Sequence, residues 1–421
     1  MKARADARVE LEPLEEIRIE KPRIMTAVPL DPSSLREPLA CACRWLTEIA
    51  QVKSEEALPN ETRHHAHATW RGAIRGEYSL ARREWTFFCP VWHTGQAIKA
   101  LVLAGEALGT DEFLSAARLG ADFLLANSVR EGPERGLIFA YEDDPDRINT
   151  SAILEALDGL FHLARTTGDL DCRGVALDAL DWVARRMYAP AGGAFFDCWD
   201  PAKRGIVPNR FTTPWRPLLD DAVFLTGWEL TGREEWKRIA VATAERLLRE
   251  EDPPGNWIGY RPCNRTLGIL HPRHAWWWGA PMLRIFKATG DGRFREAFRR
   301  AAAWYGKALR RDGGLLRGTF RDFSTDSFGH ATSGAACAAM MLWDAWREFG
   351  DEEAATLADR ALAFCMKVQF RTPTDPNVKG AILEKVLPPD GTDRSPYHLR
   401  DLGTIFFVQA AAKRLLEGKN R

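Results

Sequence analysis

Five short glycine turns recur along this chain at nearly even intervals, and they constrain its fold more than any other feature. Each turn follows an apolar run of helical character and precedes another. Helices commonly end on a left-handed glycine, and acidic residues favour the amide end of the next helix. The turns are Leu108-Gly109-Thr110-Asp111, Thr167-Gly168-Asp169, Thr231-Gly232-Arg233-Glu234, Thr289-Gly290-Asp291 and Phe349-Gly350-Asp351. Because successive glycines are 59, 64, 58 and 60 residues apart, the sequence predicts a repeated helical hairpin of about 60 residues.

The apolar periodicity between these turns predicts twelve helices. Their predicted ranges are 36–53, 91–109, 112–127, 149–167, 170–188, 217–231, 233–250, 274–290, 292–309, 331–349, 352–370 and 400–417. The five turns pair ten of these helices and leave the first and the last, which close a ring of six hairpins if they pack together. The predicted fold class is therefore all-α, with one ring domain over residues 36–421 preceded by an N-terminal arm over residues 1–35.

Six long connections alternate with the short turns, so they are expected to emerge on one face of the ring and to form a pocket there. They span residues 54–90, 128–148, 189–216, 251–273, 310–330 and 371–399, and the stretch Gly192–Asp197 predicts a short β-hairpin. Connections this long inside a compact domain are usually functional or disordered. The helices that follow them begin with small residues, which suits an inner ring. Their amide ends would converge on the pocket and favour an anionic ligand.

Composition narrows the possible partners and location. The 58 basic and 58 acidic residues give a net charge of zero, which offers no electrostatic case for nucleic acid or an anionic membrane. No apolar stretch is long enough to span a bilayer, and the first residues lack the apolar core of a signal peptide. The eight cysteines are scattered without a CxxC pair, which favours reduced thiols in the cytoplasm.

Side chains that can bind a ligand or take part in catalysis are concentrated where the long connections lead into the inner helices. They are Trp92, His93 and Gln96 at the first start, Asp146 and Asn149 at the second, Asp220 and Asp221 at the third, Asn264, Arg265, His271, Arg273, His274 and Trp277 at the fourth, His330 at the fifth, and Tyr397, His398 and Arg400 at the sixth. An aspartate at a helix start is often only a cap. In combination, however, aromatic rings can stack on a pyranose, Arg and His can pair with an acid group, and carboxylates can supply general acid and base catalysis. The set therefore predicts an oligosaccharide ligand that carries a carboxylate.

Other reaction classes lack their motifs. The chain has no phosphate loop, dinucleotide fingerprint, GxSxG motif or catalytic-cysteine context. The cluster His64, His65 and His67 has loose spacing and no accompanying carboxylate pattern, so no metal site is predicted there. No organic cofactor is expected either.

Over about residues 90–417, the chain resembles the six-hairpin glycosidase superfamily, whose fold is an (α/α)6 barrel, and most of all its unsaturated glucuronyl and rhamnogalacturonyl hydrolases. The resemblance rests on five segments in order: Trp92-His-Thr-Gly95-Gln96-Ala, Asp220-Asp221-Ala-Val-Phe, Trp276-Trp-Trp-Gly279-Ala-Pro-Met, Ala331-Thr-Ser333-Gly-Ala-Ala-Cys-Ala-Ala and Asp401-Leu-Gly403-Thr-Ile-Phe-Phe-Val-Gln-Ala. One of the two aspartates that those hydrolases use is matched by Asp220 or Asp221. The other aligns with Asn149, with Asp146 three residues earlier.

The resemblance implies a hydrolase that acts on uronic-acid-containing, possibly unsaturated, oligosaccharides. Asp220 or Asp221 is then the general acid and base, and Asp146 or Asn149 positions the water. The carboxylate of the sugar is held by Arg265, Arg273 and His274, while Trp92 and Trp277 stack on sugar rings. The first alternative is a uronate lyase or sugar epimerase on the same barrel, in which His271, His274, Asn264 and Arg265 act with Tyr260 or Tyr397. The second alternative is a glycan-binding protein without catalysis.

Overall fold

A computed structural model describes residues 30–58, 67–141, 146–189, 192–208, 215–325, 327, 329–386 and 398–419. Twelve α-helices lie within these residues, as the sequence predicts. They are α1 (Arg36–Arg44), α2 (Pro90–Leu108), α3 (Leu114–Ala126), α4 (Thr150–Thr167), α5 (Leu170–Arg186), α6 (Val223–Thr231), α7 (Glu234–Glu250), α8 (Met282–Thr289), α9 (Gly292–Ala308), α10 (Thr332–Phe349), α11 (Glu352–Lys367) and α12 (Leu402–Lys419).

The five glycine turns end helices as the sequence predicts. Their glycines all have φ between 70° and 76°, the left-handed region that a side chain disfavours. Three of the helices that follow are capped by an aspartate whose carboxylate accepts a backbone N–H: Asp169, Asp291 and Asp351. These local signals explain why the hairpin repeat could be recognised from the sequence.

The helices form two concentric rings. The inner ring contains α2, α4, α6, α8, α10 and α12, and it closes because α12 packs against both α10 and α2. The outer ring contains the odd-numbered helices, and α1 packs against α12. This arrangement confirms the predicted all-α fold, an (α/α)6 barrel. Among the described helices, none is both long enough and apolar enough to cross a bilayer.

Two glycines allow the closest approach between inner helices. A Cβ built on Gly159 of α4 would lie 2.0 Å from the carbonyl oxygen of Gly95 on α2, and one built on Gly95 would lie 2.3 Å from the Cα of Ala156. No side chain fits at either position without moving a backbone. The small residues that the sequence places early in the inner helices therefore set the diameter of the ring.

Two inner helices begin later than predicted. The predicted helix 217–231 starts instead with a 3₁₀ turn, Asp220–Ala222, and α6 begins only at Val223. The predicted helix 274–290 starts with a wide π-helical turn, Ala275–Gly279, before α8. Both irregular turns lie at the pocket end of the barrel, where functional sites commonly tolerate unusual backbone geometry.

Short β-sheets organise the long connections. The ten strands are β1 (Gly76–Ser79), β2 (Glu84–Phe87), β3 (Ile148–Asn149), β4 (Tyr188–Ala189), β5 (Ala194–Phe196), β6 (Cys198–Asp200), β7 (Gly205–Val207), β8 (Trp215–Arg216), β9 (Lys385–Val386) and β10 (His398–Arg400). They form sheets in the orders β2-β1-β10-β9, β3-β6-β7 and β4-β5-β8, and every pairing is antiparallel. The β4–β5 pair confirms the hairpin predicted near Gly192–Asp197.

The predicted N-terminal arm is described only at its end. Residues 1–29 lie outside the described residues, so the arm stays a prediction for them. Pro32–Leu35 form a 3₁₀ turn that leads directly into α1, and the Leu35 side chain is fully buried in the core. The end of the predicted arm thus packs as part of the barrel.

Candidate functional site

A cavity of about 970 Å³ opens on the long-loop face of the barrel. All six long connections, or the helix turns that follow them, contribute to its wall. The lining residues are Phe88, Trp92, Ser151, Glu155, Arg216, Leu218, Asp220, Ile258, Gly259, Tyr260, Arg261, Pro262, Cys263, Asn264, Arg265, Thr266, Leu267, Arg273, Trp277, Trp278, Arg317 and Arg400. The predicted residues that the structure brings together here are Trp92, Asp220, Tyr260, Asn264, Arg265, Arg273, Trp277 and Arg400.

Asp220 is a buried carboxyl group in the cavity wall. Its side chain is 3% exposed, and Oδ2 has no hydrogen-bond partner among the described residues. The pKa of Asp220 is raised to about 8, chiefly by burial and also by the negative charges of Asp221 and Asp197, while Arg216 opposes the rise. Asp220 therefore carries a proton at neutral pH and can donate it.

Asp221 points away from the cavity. Its carboxylate accepts a hydrogen bond from Gln96 Nε2 at 2.8 Å and forms an ion pair with Lys99 Nζ at 3.0 Å. Both Asp221 and Ala222 have a φ of 49°, a left-handed conformation that is costly for a residue with a side chain. This strained turn separates the two neighbouring carboxyl groups, and of the two only Asp220 lines the cavity.

Arg273 is a buried cation beside two tryptophans. Its guanidinium carbon lies 5.1 Å from the ring centroid of Trp92 and 4.9 Å from that of Trp277. Arg273 is 4% exposed, and its Nε and Nη1 have no hydrogen-bond partner among the described residues. Burial and the nearby Arg400 lower the pKa of Arg273, yet an arginine stays charged at any physiological pH. A buried donor without a partner in a cavity wall indicates a place for an anionic group.

The other buried arginines of the wall have carboxylate partners. Arg216 Nε lies 2.6 Å from Asp197 Oδ1, and Arg317 Nη1 lies 3.2 Å from Glu384 Oε1. Arg400 Nε donates to Glu77 Oε1 at 2.7 Å. Among these four arginines, Arg273 alone forms no ion pair within the described residues, although Glu384 and Glu155 lie close enough to offset part of its charge.

Sequence reasoning missed Glu155, a second carboxyl group of the cavity wall. It is 4% exposed and lies on α4 one turn after Ser151, another lining residue. The sequence nevertheless contains a pattern that points to Glu155. Ser151, Glu155, Asp158 and His162 follow the spacing i, i+4, i+7, i+11, which places them on one face of an otherwise apolar helix.

The two histidines predicted as catalytic bases lie behind the cavity wall. His274 is fully buried and stacks on Trp278 with ring centroids 4.3 Å apart. Its Nδ1 lies 3.1 Å from the Trp257 carbonyl oxygen, and its Nε2 lies 3.0 Å from that of Arg261. Burial lowers the pKa of His274 to about 3 and that of His271 well below its ordinary value. Neither ring lines the cavity, because both pack into the core beneath it.

Several further predicted residues have structural partners instead of cavity positions. Asn149 caps α4 by accepting the Ala152 N–H, and Asp146 is exposed at the surface. Those side chains do not line the cavity, so the structure does not place either of them where it could position a water molecule there. The sequence prediction followed the start of the helix, which does not determine where a side chain points.

The remaining predicted residues hold the barrel together around the cavity. His93 pairs with Asp401 inside the core, and Gln96 Nε2 donates to the carbonyl oxygen of Glu155 as well as to Asp221. His330 is buried with its ring centroid 6.4 Å from that of Phe364, and His398 Nδ1 lies 3.2 Å from Glu77 Oε2.

Tyr397 and, from the histidine cluster, His64 and His65 lie outside the described residues. His67 Nε2 contacts the Phe139 carbonyl oxygen at 2.8 Å.

Comparisons with known proteins support the architecture. No protein-family model matches the chain, and no curated protein matches it. Among solved structures, an unsaturated glucuronyl hydrolase specific for heparin is 16% identical, with a TM-score of 0.66 over 93% of this chain and 99% of that one. A D-mannose isomerase is 12% identical, with a TM-score of 0.65 over 92% and 98% of the two chains. The cellobiose 2-epimerase from Spirochaeta thermophila DSM 6192 is 13% identical, with a TM-score of 0.63 over 92% and 98%.

These identities are low, so the likeness concerns the fold, and it extends over almost the whole length of each protein. The matched structures combine a hydrolase, an isomerase and an epimerase on one architecture, and fold alone does not decide between such reactions. The chain has the (α/α)6 barrel fold, which it shares with these solved structures.

Proposed function

We propose that this protein is a hydrolase that acts on uronic-acid-containing oligosaccharides, with Asp220 as the general acid. The observation that carries the proposal is a carboxyl group that is buried in a large cavity, lacks a partner on Oδ2 and has a pKa of about 8. A general acid works best when its pKa lies near the working pH, because it is then protonated and still able to release its proton. Solved structures with this fold include several unsaturated glucuronyl hydrolases.

The acidic group of the sugar is assigned to Arg273. A charged hydrogen bond from a buried guanidinium to a carboxylate is strong, and here it would also supply the partner that Nε and Nη1 of Arg273 lack among the described residues. Trp92 and Trp277 border the same cavity, and the Nε1 of each has no hydrogen-bond partner among the described residues. Apolar ring surface together with unused N–H donors suits a sugar, which offers both C–H faces and oxygen atoms.

For an unsaturated uronide, the proposed reaction is hydration of the enol ether. Asp220 transfers its proton to the vinylic carbon, and positive charge develops on the carbon attached to the ring oxygen. Water forms a bond to that carbon and returns a proton to the Asp220 carboxylate, which Arg216 stabilises in the meantime. The resulting hemiketal opens to a ketone, which leaves a hemiacetal at the anomeric carbon. That hemiacetal collapses to an aldehyde and releases the rest of the oligosaccharide as an alcohol, so that one water molecule is consumed. Glu155, the other carboxyl group of the wall, is proposed to orient this water.

The alternatives make different demands on the site. A lyase or epimerase needs a base in contact with the substrate, and the structure buries His271 and His274 beneath the wall. Tyr260 does line the cavity, but its hydroxyl donates to Glu250, and burial together with Glu250 raises the pKa of Tyr260, which disfavours the deprotonated base. A glycan-binding protein needs no proton donor, so a protonated Asp220 would have no role in it. The hydrolase proposal uses the groups that line the cavity and is preferred for that reason.

The test is the near-ultraviolet absorbance of the enol ether while the protein is offered lyase-digested and intact uronic-acid glycans. We expect absorbance to fall with digested glycans, and Asp220→Asn to lower kcat at least about 100-fold. Asp171→Asn is the matched control, since the Asp171 side chain is 76% exposed on α5 and does not line the cavity. A rise in absorbance with intact polymer would establish a lyase. No turnover of any glycan, with sugar acids still bound, would favour the binding protein.

A further inference from the structure

Charged side chains lie inside the barrel beneath the cavity, where apolar packing would be expected. Lys99 of α2 lies between two carboxylates: Nζ is 2.7 Å from Asp158 of α4 and 3.0 Å from Asp221. The Lys99 side chain is 13% exposed. Burying such a group costs more free energy than an apolar residue of similar volume would, so its presence calls for a specific role.

The Asp220–Ala222 turn is held on the side that faces Lys99. Gln96 and Lys99, one helical turn apart on α2, both bind the Asp221 carboxylate. Arg284 of α8 donates from Nη1 to the Asp221 backbone carbonyl oxygen at 3.0 Å. Three contacts from two inner helices, α2 and α8, therefore fix a residue whose left-handed backbone is intrinsically unfavourable. Such conformations persist only where the surroundings impose them.

The consequence for Asp220 is geometric. Because the Asp221 side chain is fixed toward α2, the adjacent Asp220 side chain projects on the other side of the strained turn and lines the cavity. If Asp221 lost its cationic partner, its charge would be buried without compensation. The turn would then be held less firmly, and Asp220 would be positioned less well within the cavity wall.

We propose that Lys99 is a positioning residue, which acts through Asp221 to hold Asp220 in the cavity wall. This inference rests on the proposed function, in which Asp220 donates the proton. Lys99 itself does not line the cavity, so it need not touch the substrate.

The electrostatic consequence has a definite sign. The charged groups that act on Asp220 are Asp221 in its own turn and Arg216 and Asp197 in the preceding connection. Lys99 offsets the charge of Asp221. Removing Lys99 exposes Asp220 to a stronger negative field and raises its pKa. Replacing Asp221 by Asn removes negative charge and lowers the pKa of Asp220, so the two substitutions shift one titration in opposite directions.

The experiment compares Lys99→Met, Lys99→Arg and Asp221→Asn in the full chain. Methionine keeps the volume of lysine and removes its charge. We expect K99M to lower kcat at least about tenfold with a smaller change in KM, since misplacing a reacting group costs turnover more than binding. The alkaline limb of its pH–rate profile should move up, that of D221N should move down, and K99R should recover most of the activity.

Lys413→Met is the matched control. Lys413 of α12 also forms an inner-helix ion pair, with Nζ 2.6 Å from Asp344 Oδ1. It makes no contact with the Asp220–Ala222 turn among the described residues. K413M should therefore leave the titration of Asp220 unchanged, whatever it does to stability.

A second readout does not require turnover. The carboxyl band of Asp220 can be followed by infrared titration of protein labelled with ¹³C-aspartate, as the difference from D220N. Opposite shifts in K99M and D221N would support the positioning role. If the Asp220 titration does not move in the folded variants, or moves in the same direction in both, the positioning role is wrong. If K99M does not fold, K99R and D221N still decide the question. An inactive wild-type protein would overturn the proposed function alone, since the infrared titration still tests Lys99.

Discussion

His93 on the first inner helix and Asp401, next to the last inner helix, form a fully buried pair with Nδ1 and Oδ1 2.6 Å apart. This contact joins the two ends of the ring, since His93 belongs to α2 and Asp401 immediately precedes α12. Burial raises the pKa of Asp401, while the neighbouring His93 opposes that rise. The pair therefore fixes ring closure, whereas the sequence had suggested that His93 binds substrate.

Breaking this pair should destabilise the whole barrel. Asp401→Ala is expected to lower the free energy of unfolding by about 3–5 kcal/mol, because it leaves a buried imidazole without its partner. Denaturant unfolding followed by circular dichroism measures the change. The control is Asp171→Ala, which removes an exposed ion pair with Arg130 and should change stability by less than about 1 kcal/mol. An Asp401→Ala variant as stable as the wild type would show that His93 does not depend on this carboxylate.

Asp220→Asn should make the protein more stable in alkali while it removes activity. The folded protein holds the Asp220 proton up to about pH 8, whereas the unfolded chain releases it near pH 3.8. Folding therefore takes up a proton between these values, and this group reduces stability as pH rises through that window. Asparagine carries no charge to desolvate. The stability of D220N relative to wild type should grow from pH 4 to pH 8, measured as Tm or denaturant midpoint at each pH. If the stability difference between D220N and wild type stays constant with pH, folding does not raise the pKa of Asp220.

Arg273→Met should weaken the binding of acidic sugars selectively. Loss of a charged hydrogen bond costs about 1.5–3 kcal/mol, which corresponds to a Kd about 10 to 150 times higher for a uronic acid. The methyl ester of the same sugar should bind with little change, because it offers no negative charge. Isothermal titration of both ligands gives the comparison. Arg265→Met, on the exposed part of the wall, should have a smaller effect; equal losses for the acid and the ester would argue against Arg273 as the anion site.

A methyl group at the closest helix crossing should be poorly tolerated. Gly159→Ala places a Cβ 2.0 Å from the Gly95 carbonyl oxygen, so α2 and α4 must move apart. Overpacking of this kind typically costs about 1–3 kcal/mol, and a backbone clash belongs at the upper end. Gly174→Ala on α5 is the control, because its Cβ meets nothing within 4 Å and alanine favours a helix by about 0.5–1 kcal/mol. Thermal unfolding should give a lower Tm than wild type for Gly159→Ala and a higher Tm for Gly174→Ala.

The fold was accessible from the sequence because its signals are local. Each hairpin turn carries a left-handed glycine, and three of the helices that follow carry an aspartate cap. Such signals act within a few residues. The late start of α6 was not predicted, because the Asp220–Ala222 turn is held by Gln96, Lys99 and Arg284, which are distant in sequence.

The candidate site could be predicted from the sequence only in part, because it too depends on contacts between distant residues. The sequence identified the segments that border the cavity, and eight predicted residues, Asp220 and Arg273 among them, do line it. It did not indicate which side chain of a segment faces inward, so Asp146 was proposed although it is exposed. Glu155 was missed because it lies inside α4 instead of at its start. Side-chain direction depends on the crossing of neighbouring helices, which no short motif encodes.

The pairing of β1 with β10 has a consequence for the order of synthesis. Glu77 and Arg400, opposite each other in this pairing, are 323 residues apart in the sequence. A ribosome must synthesise all the residues between them before the two strands can pair, so the cavity wall that includes Arg400 forms late. Earlier hairpins can form locally during translation, but they expose inner faces that only α12 can cover. The nascent barrel therefore remains an open, non-binding arc until its final helix emerges.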